Sequence, residues 1–242
     1  MGQVTFSSDI TVELVKHSAS DDDIIFAAKV STQGERSYFG SEGFSADSVE
    51  RKAGLINWLV RDRHGSPFEH SIFTFYVKAP IFVWREHMRH RIASYNEESG
   101  RYKKLEPEFY IPNNERNIIQ EGKPGAYIFT PGTPEQHAIT TQAFRHSCEE
   151  SYNYYLEMLD AGVAREVARG VLPVTIYSSA YVTMNSRALM NFLSLRRNVE
   201  GQRFPSYPQR EIEMVAEKYE EIFKELMPMT HKSFVENGRV AP

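Results

Sequence analysis

The chain has 242 residues with 41% hydrophobic content, enough to bury a substantial core in one domain. Its formal net charge of −4 argues against a general nucleic-acid or membrane-surface binder, because such proteins usually carry a basic excess. The single cysteine, Cys148, excludes an intramolecular disulfide. The sequence has no apolar run near the ~20 residues of a membrane span and no signal-like N-terminus. We therefore expect a cytoplasmic protein with one domain over residues 1–242.

The first strong helical pattern lies between about residues 47 and 64. Asp47 or Ser48 is the expected N-terminal cap, because a short side-chain oxygen can accept a hydrogen bond from the first turn. Gly65 and Pro67 are expected to end the helix. The apolar residues at helical spacing are Leu55, Ile56, Leu59 and Val60.

A strand and a short helix follow. Residues 70–79 alternate in the manner of a strand rich in aromatic and β-branched side chains. Because proline suits the first turn of a helix, we predict a short helix from Pro80 to about His90. This helix would place Arg85 and Arg89 on one face.

The segment 106–133 is rich in Pro, Gly and Asn and contains one short extended piece, 109–111. A connection of this length predicts a mobile lid or a subunit contact. Thr133 to Gln136 then match a capping box with proline at the first helical position, which predicts a helix to about Gly162. The expected buried side of this helix consists of Ile139, Phe144, Cys148, Tyr152, Tyr155 and Leu159.

The last third of the chain contains a second polar group at 165–173, built around a short apolar helix. An extended piece at 181–183 leads to Ser186, the expected cap of a helix that carries Arg187 and Asn191 on one face. A final helix over about 208–227 is expected to bury Ile212, Val215, Tyr219, Ile222 and Leu226.

The densest polar cluster is Arg89–Arg91, followed after seven residues by Ser99–Tyr102. From Arg85 to Lys104, six Lys or Arg stand against three Glu, a local balance of +3. Clustered guanidiniums repel one another and cost entropy to order, so they predict an anionic ligand such as a nucleotide. A solvated basic loop is the alternative that composition alone leaves open.

The usual devices for metals and phosphates are missing from the sequence. The histidines follow no usual ligand spacing, so we predict no metal. Neither a P-loop nor a Gly-x-Gly-x-x-Gly motif is present, so side chains are expected to hold any nucleotide. Arginine suits this task because it binds phosphate through two parallel charge-assisted hydrogen bonds.

The cluster resembles the signature of the flavin-dependent thymidylate synthases, Arg-His-Arg followed after seven residues by Ser. The resemblance spans roughly residues 20 to 225 and implies an α+β fold: a single mixed domain with a central β-sheet flanked by helices, the thymidylate synthase-complementing fold. It also implies a homotetramer whose active sites lie at subunit junctions. The segments that carry it, in order, are Pro67–His70, Lys78–Pro80, Ser94–Glu97, Ser99–Tyr102, Val167–Arg169 with Leu172–Pro173, and Asn185–Arg196.

The resemblance implies reductive methylation of dUMP to dTMP, with 5,10-methylenetetrahydrofolate as carbon donor and FAD, reduced by NADPH, as hydride source. Tetrahydrofolate would be released. Arg196 would be catalytic, because a guanidinium beside the uracil stabilises the charge that develops when the N3–C4 amide ionises. No covalent nucleophile is expected, since Cys148 lies in a helical pattern and Ser99 has no evident histidine–acid relay.

Matching positions to the family assigns the ligand-binding residues. The implied dUMP-binding residues are Glu86, His87, Met88, Arg89, Glu97, Glu98, Ser99, Gly100, Arg101, Arg169 and Arg196. The implied FAD-binding residues are Ser66, Arg89, His90, Arg91, Glu97, Asn185, Ser186, Arg187 and Asn191, with Ser31 and His64 as further candidates.

One position departs from the family pattern, and two other functions remain as hypotheses. Glu86 stands where the family often has glutamine, and a carboxylate near a dianionic substrate is unfavourable unless it pairs with an arginine. A non-catalytic flavin or nucleotide sensor of the same fold would bind FAD without turnover. A single-stranded RNA-binding module would use the local basic charge and aromatic residues such as Tyr95 and Tyr102, but the overall acidity of the chain opposes it.

Overall fold

The computed structural model describes residues 3–34 and 48–242, and its internal contacts divide the chain into two compact units. Unit 1 contains the residues up to Thr11, Val77–Arg89 and Asn96–Ala180, and unit 2 contains Val12–Tyr76, His90–Tyr95 and Tyr181–Pro242. Strands and helices occur together, as expected for the α+β class. A single domain over the whole chain stays a prediction.

The secondary structure follows the chain as a mixture of short strands and longer helices. The strands are β1 (Thr5–Ser7), β2 (Thr11–Ser18), β3 (Ile72–Pro80), β4 (Ser94–Glu97), β5 (Glu108–Tyr110), β6 (Ile119–Lys123), β7 (Ala126–Thr130) and β8 (Tyr177–Asn185). The α-helices of the described residues are α1 (Asp21–Gln33), α2 (Val49–Arg61), α3 (Ile81–His87), α4 (Pro134–Asp160), α5 (Arg165–Ala168), α6 (Ser186–Arg196), α7 (Arg210–Leu226) and α8 (Pro228–Glu236). The largest sheet has the strand order β2-β3-β8-β4.

In unit 1, the core lies under the long helix α4. Thr133 caps this helix through the predicted capping box with Gln136. Of the predicted buried side, Cys148, Tyr152 and Tyr155 are at most 1% exposed. Ile139 is 67% exposed, so its predicted burial is wrong. About four turns of α4 therefore precede Cys148, the first residue of this helix in the core. The core consists of Phe109, Cys148, Tyr152, Tyr155, Ala168 and Ile176.

The segment 106–133 is more regular than its composition predicts. Its extended piece is β5, which pairs in parallel with β1, and β6 and β7 form an antiparallel hairpin. Gly125 takes φ +84° at the hairpin turn, a conformation that glycine adopts without a steric penalty. A long irregular loop is therefore wrong, whereas mobility and a subunit contact stay predictions.

In unit 2, aromatic rings from β3, α6 and α7 pack together. Phe75 lies 4.3 Å from Tyr219 between ring centroids, and Phe192 lies 5.4 Å from the same tyrosine. The predicted helices are confirmed at Val49–Arg61, capped by Ser48, and at Arg210–Leu226; Asp47 lies outside the described residues. In the last of these helices Phe223 is buried, while the predicted Ile222 and Leu226 are only half-buried.

Helix α3 is shorter than predicted. It ends at His87, so Arg89 lies beyond the helix and does not share a helical face with Arg85. An earlier end also avoids the unfavourable pairing of like charges four residues apart on one helical face. Pro80 belongs to β3 and serves as the N-terminal cap residue of α3.

Asp21, in the first turn of α1, links this helix to α8. Its buried carboxylate accepts hydrogen bonds from the Met229 and Thr230 backbone N–H groups, each at 2.9 Å, and from Thr230 Oγ1 at 2.6 Å. These groups lie in the first turn of α8, where backbone donors have no partner within the helix. A buried acceptor from another helix therefore satisfies them.

We expect Asp21→Ala to destabilise the protein by about 2–4 kcal/mol, because it leaves three donors, two of them buried, without an acceptor. Asp22→Ala is the matched control: the neighbouring carboxylate is 64% exposed and pairs with Lys52, so its loss should cost less than about 1 kcal/mol. Urea unfolding of both variants measures the difference. Equal midpoints for the two variants would contradict the assignment.

Candidate active site

Unit 1 contains a cavity of about 480 Å³ lined by four of the predicted dUMP-binding residues. These are Glu97, Glu98, Gly100 and Arg169, and further polar groups come from Arg85, Glu166 and Ser178. Two arginines and three glutamates therefore line one concave surface, which fits a ligand that has both an anionic group and N–H or O–H donors.

The two glutamates of this cavity are fixed by strand β8. Ser178 Oγ donates to Glu97 Oε1 at 2.5 Å, and the Ser179 N–H donates to Glu98 Oε1 at 3.0 Å. The Lys103 ammonium lies 2.8 Å from the second Glu98 oxygen. Both carboxylates are thus held in one orientation before any ligand binds.

A tight turn at Ser99 forms another wall of the cavity. The Ser99 carbonyl accepts hydrogen bonds from the N–H groups of Tyr102 and Lys103, and its hydroxyl accepts from the Arg101 N–H at 3.3 Å. Gly100 is buried, and a Cβ there would lie 3.0 Å from Leu105 Cδ1 and 3.2 Å from Arg169 Cδ. The missing side chain therefore lets Arg169 approach the turn closely.

Arg101 is already paired in this conformation. Its Nε lies 2.9 Å from Glu166 Oε2, and both side chains are more than half exposed. Such an exposed ion pair contributes little stability, so an anionic ligand can compete for the guanidinium at low cost.

The remaining predicted dUMP-binding residues of unit 1 are on α3 or just beyond it. His87 is 1% exposed, and its ring lies 5.3 Å from that of Trp84. Met88 is 37% exposed, Arg89 is exposed, and the Arg89 N–H donates to the Glu86 carbonyl. None of these residues, nor Glu86, lines the cavity described above, and their roles stay predictions.

Unit 2 pairs the predicted catalytic arginine with a histidine of the motif. Arg196 Nε donates to His90 Nε2 at 3.1 Å, which requires the neutral form of the imidazole. Burial, and then the charge of Arg196, lowers the pKa of His90 to about 4. The Tyr95 hydroxyl donates to the His90 carbonyl at 3.0 Å, so the backbone of this residue is held as well.

Helix α6 carries most of the predicted FAD-binding residues of unit 2. Asn185, not Ser186, is the cap: its side chain accepts a hydrogen bond from the Ala188 N–H at 2.8 Å. Ser186 is buried and donates to the Phe68 carbonyl, so it is a packing residue in this conformation. Arg187 and Asn191 both lie on the exposed side of the helix, as predicted.

Arg187 is held by two acceptors beside a glycine. Its Nη1 lies 2.5 Å from Glu69 Oε1, and its Nε donates to the main-chain oxygen of Pro242 at 2.6 Å. A Cβ on Gly65 would lie 2.5 Å from the Arg187 guanidinium carbon, so only glycine permits this approach. The donors of Arg187 and Asn191 and the closeness of this backbone fit a ligand with a pyrophosphate and a planar ring, as FAD has.

The other FAD candidates are all exposed. The His64 ring stacks on Trp58 with a centroid distance of 4.5 Å, and Ser31 Oγ donates to the Ala28 carbonyl at 2.9 Å. Ser66 and Arg91 have exposed side chains. Their contacts with a flavin stay predictions.

Cys148 does not have the surroundings of a nucleophile. It is buried, its sulfur lies 3.4 Å from Thr175 Oγ1, and burial raises its pKa. Among residues 3–34 and 48–242, no group of three or more His, Cys, Asp or Glu side chains is placed to hold a metal ion. Nor does any helix of those residues have the length and apolar character needed to span a membrane.

Comparison with known proteins identifies the family. The family described as thymidylate synthase complementing protein matches residues 13–229. A flavin-dependent thymidylate synthase of Streptomyces coelicolor is 57% identical over 241 residues, 99% of this chain and 96% of its own length. Another, from Tropheryma whipplei, is 56% identical over 238 residues, 98% of this chain and 97% of its own.

Solved structures agree with this assignment. Two structures of the UMP/dUMP methylase PolB from Streptomyces cacaoi, bound with 5-Br UMP and 5-Br dUMP, match with TM-scores of 0.91 and 0.92. Their sequence identities are 47% and 48%, over 99% of this chain and 100% of theirs. The chain therefore belongs to the thymidylate synthase complementing protein family, which confirms the resemblance to flavin-dependent thymidylate synthases.

Sequence reasoning missed the residues that hold the predicted ones in place. Ser178 fixes Glu97, Glu166 pairs with Arg101, and Glu69 pairs with Arg187. Glu69 lies within one of the segments that resemble the family and Glu166 lies directly before another, so the resemblance could have indicated both residues. Ser178 lies in an ordinary strand pattern that carries no such signal.

Burial and the charge of Arg196 disfavour the protonated form of His90, so we predict that its pKa is about 4 in the folded protein, below the 6.5 of a free imidazole. The unfolded chain then binds the proton first, so stability falls as the pH drops from 6.5 towards 4. Arg196→Gln removes the smaller cause and should raise this pKa only partly. An NMR titration, with His90→Gln to assign the signal, measures both; a wild-type pKa near 6.5 would contradict the pairing.

Proposed function

We propose that this chain catalyses the reductive methylation of dUMP to dTMP, with 5,10-methylenetetrahydrofolate as carbon donor and FAD, reduced by NADPH, as hydride source. The observation that carries the proposal is the 57% identity to a flavin-dependent thymidylate synthase over 99% of the chain. The PolB structures with bound 5-Br dUMP and 5-Br UMP support a uridine monophosphate as the substrate.

We assign the dUMP phosphate to the cavity of unit 1. Arg169 supplies a guanidinium there, and Gly100 lets the backbone of the turn approach the ligand. Arg101 joins them once the phosphate replaces Glu166 as its partner, because a dianion attracts the guanidinium more strongly than a carboxylate does. Glu97 and Glu98, fixed by hydrogen bonds from β8, then accept hydrogen bonds from ligand N–H or O–H groups.

We assign the polarisation of the uracil to Arg196. Its guanidinium stabilises the negative charge that develops as the N3–C4 amide ionises, which raises electron density at C5. His90 supports this role, because a neutral ring accepts from Nε without cancelling the positive charge. No enzyme nucleophile is required, which agrees with the burial of Cys148.

The flavin site is assigned to residues of unit 2 around Arg187 and Asn191, together with His90, Arg91 and Ser66. When bound and reduced, FAD supplies the hydride that converts the transferred carbon to a methyl group. The protein's part is to hold the pyrophosphate and orient the ring, for which guanidinium and amide donors are suited.

The assembly and location of the protein also belong to this proposal. We infer a homotetramer with shared active sites, a cytoplasmic location, and neither nucleic acid nor membrane as a partner. The net charge of −4 supports the exclusion of a general nucleic-acid binder.

The test is tritium release from C5-labelled dUMP by the FAD-loaded protein with NADPH, with and without methylenetetrahydrofolate. We expect folate-dependent release that falls at least 100-fold in Arg196→Ala, since loss of one group that stabilises developing charge costs about that much. Arg61→Ala is the matched control. Arg61 is the last residue of α2 and pairs with Asp62 just beyond the helix, so its replacement should leave the rate unchanged.

Labelled UMP in place of dUMP tests which sugar the site accepts. Release from dUMP but not from UMP would indicate that the site accepts only the deoxyribonucleotide, as the name thymidylate synthase implies. Equal release from both would indicate that it accepts either sugar, as the name UMP/dUMP methylase states for PolB. A flavin-loaded wild type that releases nothing would contradict the proposal and favour a sensor.

A further inference from the structure

The last residues of the chain follow a strongly determined path after α8. Gly238 and Arg239 both take positive φ, +77° and +59°, which turns the chain sharply. A left-handed conformation is sterically unfavourable at a non-glycine residue, so other contacts must compensate at Arg239. The Arg203 N–H donates to the Gly238 carbonyl at 3.0 Å, and the Arg239 N–H donates to the Phe234 carbonyl at 2.8 Å.

Arg239 anchors this path in the interior of unit 2. The residue is 5% exposed, and its Nη2 lies 2.8 Å from Glu220 Oε2. The same carboxylate binds Arg197 Nε at 3.0 Å and His231 Nε2 at 2.9 Å. Burial alone would raise the pKa of Glu220, but the hydrogen bonds from His231 and Arg239 and the nearby positive charges hold it well below its usual range. An ionised Glu220 therefore holds Arg239 firmly.

The other end of the segment lies against Arg187. Pro242 is buried, and its main-chain oxygen accepts the Arg187 Nε–H at 2.6 Å. Glu69 engages Nη1 on the opposite edge of the guanidinium. Among the contacts of the described residues, Nη2 is the nitrogen of this side chain that remains for a ligand.

We propose that the segment Arg239–Pro242 is a positioning element of the flavin site, which orients the Arg187 guanidinium towards the bound cofactor. This inference rests on the proposed function, in which Arg187 binds FAD. An unrestrained arginine loses side-chain entropy when it binds a ligand, and the loss is comparable to about a tenfold change in affinity. A guanidinium held beforehand avoids that loss.

The experiment is a double-mutant cycle on FAD affinity in the full-length protein. Deletion of Val240–Pro242 keeps the Arg239 anchor but removes the acceptor of Arg187. We expect this deletion to raise the Kd for FAD about tenfold and to leave the Kd for dUMP unchanged, because neither the phosphate cavity of unit 1 nor Arg196 contacts the deleted residues in the interactions described above. In an Arg187→Ala background the same deletion should change the Kd for FAD less than twofold, because the segment acts through that side chain.

A second variant tests the same contact without shortening the chain. In Gly65→Ala, the new Cβ would lie 2.5 Å from the Arg187 guanidinium carbon and 2.8 Å from the Pro242 oxygen, so the two must separate. We expect weaker FAD binding that again depends on Arg187. Gly54→Ala is the matched control, since a Cβ there meets nothing within 4 Å. If the deletion variant fails to fold, this pair decides the question.

The possible failures are distinguishable. An unchanged Kd for FAD in the deletion variant, or an equal loss with and without Arg187, would overturn the positioning role and leave the proposed function intact. A wild type that binds no FAD would instead overturn the proposed flavin site.

Discussion

Fixing several arginines in place is the constraint on which the candidate site depends. Guanidiniums repel one another and have flexible stems, so each needs an acceptor that holds one edge and leaves another for the ligand. Glu166 pairs with Arg101, Glu69 pairs with Arg187, and the neutral His90 imidazole accepts a hydrogen bond from Arg196. Two carboxylates and a ring nitrogen thus hold the guanidiniums that we propose to bind the anionic groups of the ligands.

The sequence was most informative where local physics decides the structure. The capping box at Thr133 and the alternation in β3 predict elements that the structure confirms nearly to the residue. The anionic site that the arginine motif predicts stays a prediction: four of the residues implied for dUMP line one cavity, but Arg89 and Arg91 are not among them. In each case the signal lies in residues that are close in the sequence, either as a periodic pattern of apolar residues or as a motif with fixed spacing.

The errors occur where distant residues or local conflict decide. Ile139 has helical spacing but is exposed, because the core of unit 1 begins only at Cys148. The hairpin in 106–133 was missed because β6 is mostly polar, although Pro124-Gly125 is a recognisable turn and β7 is rich in aromatic and β-branched residues. Partners such as Ser178 could not be predicted, since they lie in a different segment of sequence and have ordinary surroundings. Only the fold brings them to Glu97.

The close packing at Gly65 has a consequence for the evolution of the family. A glycine hydrogen, the Arg187 guanidinium and the Pro242 main-chain oxygen occupy one small space, so a side chain at position 65 would displace the arginine from its present path. The third group belongs to the backbone, so any residue at position 242 supplies it. We therefore expect positions 65 and 187 to vary together among homologues, whereas the identity of residue 242 should vary independently of them.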